Sequence, residues 1–74
     1  MRAEEIEAIE VELLLEALVR RWGYDFRAYA QASVRRRIRQ FLTLAGEPSP
    51  TALLPRILHD EGLFRRLIRG SGRR

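Results

Sequence analysis

The residues best equipped for chemistry in this chain are arginines. The segment Ser33-Val34-Arg35-Arg36-Arg37-Ile38-Arg39 places four guanidinium groups within five positions. Each is a planar fork of donors that keeps its charge at any ordinary pH and can meet a carboxylate or a phosphate with two hydrogen bonds. That is the chemistry of anion recognition, not of bond making. The other candidates are weaker. His59 is the single histidine and cysteine is missing; Asp60 and Glu61 beside His59 point in different directions on a helix, so no converging donor set for a metal is in view. Ser33, Ser49 and Ser71 lack a histidine placed to act as a base, which argues against serine catalysis. Glu5, Glu12 and Glu16 share a face expected to meet water, where nothing drives their pKa values apart into an acid and a base. The five glycines form no phosphate-cradling loop between a strand and a helix.

The chain that carries these arginines has 74 residues, room for one domain with one core. Hydrophobic residues make up 46% of it, enough for a core, and without cysteine the helices must be held by packing alone. All 14 basic residues are arginine, and the charge is divided: net −5 up to Val19 and net +9 beyond it, within a total of +4. One end repels what the other attracts. No apolar run approaches the roughly 20 residues of a membrane span, and the acidic start is unlike a signal peptide, so the expectation is a cytoplasmic protein without membrane insertion.

Periodicity then supplies the elements that must position the arginines. From about Arg2 to Trp22 strong helix formers run without proline or glycine, with glutamates in the first turns. The apolar residues of this helix fall in two sectors, Ile6, Ile9, Leu13 and Ala17 in one, and Val11, Leu14, Leu15, Leu18 and Trp22 in the other. So wide a surface predicts packing against more than one neighbour, with self-association as the competing explanation. Gly23 is placed to end the helix in a left-handed conformation. Asp25 is positioned to cap the next helix, and Tyr24 and Phe26 to seal the core. The second helix begins at roughly Arg27 or Ala32, ends at Ala45 before Gly46, and presents Val34, Ile38, Phe41 and Ala45, a face widened by Leu42 and Leu44, to the first helix. At about 100° per residue, Arg35, Arg36 and Arg39 fall on its far side and Arg37 lies beside Phe41 and Leu44, at the margin of the apolar sector.

Ser49-Pro50 reads as a cap followed by proline at the first helical position. A third helix with Leu53, Leu54, Ile57 and Leu58 follows, in which Pro55 marks either a kink or the true start. The run His59 to Gly62 breaks it, and Leu63, Phe64, Leu67 and Ile68 form a fourth amphipathic segment ending at Gly70. The domain is thus expected over residues 1–70, with a flexible tail over 71–74. The fold class is all-α, a small four-helix bundle.

The stretch Leu13 to Gly46, LLLEALVRRWGYDFRAYAQASVRRRIRQFLTLAG, resembles the N-terminal domain of CheR-type chemotaxis receptor methyltransferases. An apolar helix ending at a glycine, a short aromatic link and a basic helix closing on Leu44-Ala45-Gly46 follow the family's order, and Leu53 to Leu58 and the piece after Asp60 look like its closing helices. The resemblance implies a four-helix domain that helps to recognise the glutamate-bearing methylation helices of chemoreceptors, with the basic second helix facing them. It also implies that the position of the family's best-kept arginine is Arg37. Where many members place a lysine, this chain has Ala30, and Gln40, Phe41 and Thr43 occupy late basic positions, so charge is shifted towards the start of the helix. The methyl-transferring domain, which binds S-adenosylmethionine, comes afterwards in the family. The expectation is therefore a non-catalytic module without a cofactor of its own, whose Arg35, Arg36, Arg37 and Arg39 bind an acidic partner helix. Two alternatives use the same chain differently. The arginines could take a phosphate ligand, a cyclic dinucleotide second messenger or a nucleic acid, or the apolar face of the first helix could form a homodimer.

Overall fold

The structure is a computed structural model that describes the backbone of residues 1–72 and the side chains of residues 1–69. Four helices follow one another, α1 (Ala3–Trp22), α2 (Gln31–Ala45), α3 (Pro50–His59) and α4 (Glu61–Gly72), and the described residues include no strand. Helix α1 starts with Glu4 and Glu5 in its first turn, where carboxylates face the positive end of the helix dipole. Glu5 also reaches back to accept the Arg2 backbone N–H at 2.8 Å. The helix ends at Gly23, whose N–H bonds the Val19 carbonyl at 2.9 Å and whose φ of 74° turns the chain so that the Tyr24 N–H reaches the Leu18 carbonyl at 3.3 Å. Gly46 ends α2 in the same way, at φ 76°, and the Glu47 N–H bonds the Leu42 carbonyl at 3.0 Å. Both stops are where the glycine spacing places them.

The start of α2 differs from expectation. Asp25 does not cap it. One Asp25 carboxylate oxygen accepts the Arg27 backbone N–H at 2.8 Å and the other binds the Arg27 guanidinium at 3.2 Å, which closes a turn before the helix begins. The residue preceding α2 is Ala30, with no side-chain cap. Asp25 is simply too far upstream to reach the first turn of a helix that begins at Gln31.

Ser49 caps α3 as its spacing predicts, accepting the Ala52 N–H at 3.2 Å, with Pro50 at the first helical position. Pro55 neither starts nor ends α3, which runs through it. The chain then breaks only at Asp60, whose carboxylate accepts the Leu63 N–H at 3.1 Å and so opens α4. Glu61 and Gly62 are already helical. Helix α4 continues two residues past Gly70, to Gly72, and residues 73–74, the end of the expected tail, lie outside the described residues.

Leu14, Leu15 and Leu18 of α1, Leu53 and Ile57 of α3, and Leu63 and Leu67 of α4 are almost wholly buried, and α1 lies mainly against α3. The apolar face of α2, with Val34, Ile38 and Leu42 buried, rests on α1, α3 and α4 in similar measure. It does not lie on the first helix alone, because α3 occupies most of the inner face of α1. At the other end of that pair, Trp22 Nε1 donates to the Ile57 carbonyl at 3.0 Å and Arg21 Nε to the Leu58 carbonyl at 2.9 Å. These bonds satisfy carbonyls in the last turn of α3 that lack helical partners. Only one of the two apolar sectors of α1 is used: Ile6, Ile9 and Leu13 remain 45%, 44% and 51% exposed. No helix among the described residues is long and apolar enough to cross a membrane.

Candidate functional site

Helix α2 is fixed on the core by Val34, Ile38 and Leu42, and that anchorage sets where each arginine goes. Arg39 turns towards α1 and grips Glu7 with two parallel bonds, Nε to Oε2 and Nη2 to Oε1, both 2.7 Å. This forked pairing is the strongest geometry available to a guanidinium and a carboxylate. It holds the Glu7 carboxyl below the usual carboxylate range, chiefly through the hydrogen bond from Arg39, with the charges of Arg39 and Arg35 adding to it against partial burial. Arg35 lies on the same side of α2, half-buried, and Arg36 points outward and is exposed. Neither makes an ion pair with a described residue.

Arg37 sits on the opposite edge of α2. It is half-buried, and its charge is felt by the Tyr24 hydroxyl, whose pKa is nonetheless pushed up by burial and by the neighbouring Tyr29. Arg37 also lines a groove of about 620 Å³ between α2 and α4, with Phe41, Leu44, Leu63 and Leu67 as apolar surface and Arg66 and Arg69 on the far wall. No carboxylate of the described residues lines it. The four arginines read from the sequence are thus divided: Arg35 and Arg39 on the α1 side, Arg36 outward, and Arg37 with a second cationic pair that the sequence reading passed over. A signal for that pair exists. Arg66 and Arg69 are three residues apart on the edge of the Leu63–Leu67 stripe, as two residues on one helix face must be.

Four further arginines, Arg21, Arg27, Arg56 and Arg65, belong to the scaffold. Arg21 lies over the Trp22 ring at 3.9 Å, and Trp22 stacks on Phe64 with centroids 4.9 Å apart. Arg56 donates to the Ala45 carbonyl at 2.9 Å and to Glu47 at 2.6 Å, which ties the end of α2 to α3. Arg27 holds Asp25 and Glu16, and Arg65 holds Glu61. Among the described residues no group of acids and histidines converges on a metal position. His59 at the end of α3 is exposed. What the surface offers is a set of fixed cations on apolar helices, suited to a partner with carboxylates or phosphates.

Residues 9–70 match the family model described as the all-alpha domain of CheR methyltransferase. A Pseudomonas putida protein with the printed name "Putative methyltransferase Cher3" is 41% identical over 68 residues, a span that covers 92% of this chain and 25% of that protein. The chain therefore corresponds to about a quarter of the length of this curated relative. No solved structure matches it.

Proposed function

The chain belongs to the CheR methyltransferase all-alpha domain family, and from that membership we propose that it is a recognition module that holds an acidic helix, such as a chemoreceptor methylation region, against α2. The observation that carries this reading is the state of Arg35 and Arg36. They stand on a helix anchored by three buried side chains, and neither has an ion-pair partner among the described residues. The helix fixes where their backbones stand before a partner arrives, so on binding only the side-chain rotamers remain to be ordered.

Roles then differ among the four arginines. Arg36 and Arg35 offer their forks to carboxylates on the partner, and Arg37 adds a third charge from the other edge of α2. Arg39 acts differently: its bonds to Glu7 tie α2 to α1 and add to the anchorage that Val34, Ile38 and Leu42 give the helix. Methyl transfer on this reading is the work of a separate domain, where S-adenosylmethionine would bind. The helices of this chain supply orientation of the substrate helix.

The test is a titration of the chain with a glutamate-rich receptor methylation peptide, followed by fluorescence anisotropy at rising salt, with the glutamine form of the peptide as control. Binding at low salt that weakens steeply as salt rises, and that the glutamine peptide lacks, is the expected result. Equal binding of both peptides, or none at low salt, would remove the reading. A parallel titration with single-stranded DNA and a cyclic dinucleotide decides whether phosphate is the preferred anion.

A further inference from the structure

Among the described residues, two uncovered apolar surfaces have complementary chemistries. The first is the outer face of α1, where Ile6, Ile9 and Leu13 lie at helical spacing with roughly half of each side chain exposed. Glutamates 5, 12 and 16 run along one edge of it, all three exposed. The second is the α2–α4 groove, with an apolar lining that includes Leu44, 85% exposed, and with Arg37, Arg66 and Arg69 on its walls and no carboxylate among the described residues. An acidic, apolar helix face and an apolar groove walled by arginines fit one another in both hydrophobicity and charge. They cannot meet within one chain, because α1 turns its inner face to α3 and α2 and its stripe away from them.

We infer that the α1 stripe of one copy docks in the α2–α4 groove of a second copy. Leu13 and Ile9 enter against Leu44 and Phe41, and Glu12 of the incoming helix lies towards Arg66 and Arg69, beside Glu16, which also holds Arg27 of its own chain at 3.4 Å. Arg20 continues the stripe at its C-terminal end and stays outside the groove. Such a contact joins two different surfaces, so it is heterologous and leaves one stripe and one groove open at the ends of the pair. The apolar area involved is on the order of a few hundred Å² on each side, below the roughly 800 Å² per partner of a standard stable interface. Association is therefore weak, dependent on protein concentration and sensitive to salt. It stands independently of the acidic-receptor reading, and its test needs no receptor peptide.

The heterologous geometry has a signature that a symmetric dimer lacks. Leu13→Arg places a cation on the stripe, and Leu44→Glu places a carboxylate in the groove; both side chains are exposed, and circular dichroism is used to check that each variant keeps its helices. Sedimentation velocity at low salt is then run from micromolar to millimolar protein. The unaltered chain is expected to grow past dimer mass, each variant alone to remain monomeric, and an equal mixture of the two to form a dimer, since it still contains one intact stripe and one intact groove. Added salt shifts the mixture back to monomer. A strict monomer for the unaltered chain overturns the inference, as does a Leu44→Glu variant that still self-associates, which would mean stripe against stripe, or a mixture that stays monomeric.

Discussion

The forked bond between Arg39 and Glu7 makes the residue scale testable by pH. Glu7 is held below the usual carboxylate range in the folded chain, first by the Arg39 hydrogen bond. A carboxyl whose pKa is lowered by folding contributes stability that is fully present above its unfolded value, near 4.3, and is lost as pH falls through the lowered folded value. Glu7→Gln is therefore expected to lower Tm at pH 7, and the gap between it and the unaltered chain should close as the pH is taken from about 5 towards 2. A gap that persists unchanged at low pH would mean that Glu7 acts through packing and not through its charge. Arg36 is expected to behave in the opposite way. Arg36 is exposed with no ion pair among the described residues, so Arg36→Ala is expected to leave the stability within about 0.5 kcal/mol of the original and to weaken binding of an acidic helix about two- to fivefold, as loss of an exposed pair does, which thermal melts and peptide titrations check together. The distinction between these two arginines was not legible in the sequence. Helix periodicity places both on the outer side of α2, but the fate of Arg39 depends on a glutamate 32 positions earlier, and a single sequence does not carry that pairing.

Local chemistry fixes the ends of the elements, and there the sequence was most informative. Gly23, Gly46 and the Ser49-Pro50 pair lie at helix boundaries because each requirement, a left-handed φ or a side-chain oxygen beside a proline, is met by few residue types. Asp25 misled for the same reason: its side chain does bond a backbone N–H two residues on, but in a turn that precedes the helix. Pro55 marked no boundary because the contacts of α3 with α1 outweigh one missing hydrogen bond. At Gly46 a Cβ would meet nothing within 4 Å, so the only obstacle to a side chain is the φ of 76°. Gly46→Ala is accordingly expected to cost about 1–2 kcal/mol, and Ser49→Ala about 1 kcal/mol through loss of the cap. Each would appear as a fall of roughly 4–8 °C per kcal/mol in a melt of so small a domain. No change at Ser49 would mean that Pro50 alone defines the start of α3.

At the scale of the whole molecule, α1 is the helix on which the account turns. Its two apolar sectors were readable, but which of them faces the core was not, since α1 carries leucine and isoleucine around most of its circumference. The structure assigns Leu14 to the core and Leu13 to the surface. Leu14→Ala is expected to cost about 2–5 kcal/mol, enough to unfold much of a small domain, and Leu13→Ala less than about 0.5 kcal/mol; denaturant titrations of the two variants compare them directly. The same division, an anchored basic helix over a core built on α1 and α3, underlies the proposed recognition. The most direct test of that claim is amide chemical-shift mapping of the labelled chain by NMR while a glutamate-rich receptor methylation peptide is added at low salt. The shifts are expected to concentrate on α2 around Arg35, Arg36 and Arg37 and to vanish when salt is raised. Shifts centred on α3, or none at peptide concentrations approaching millimolar, would contradict the claim.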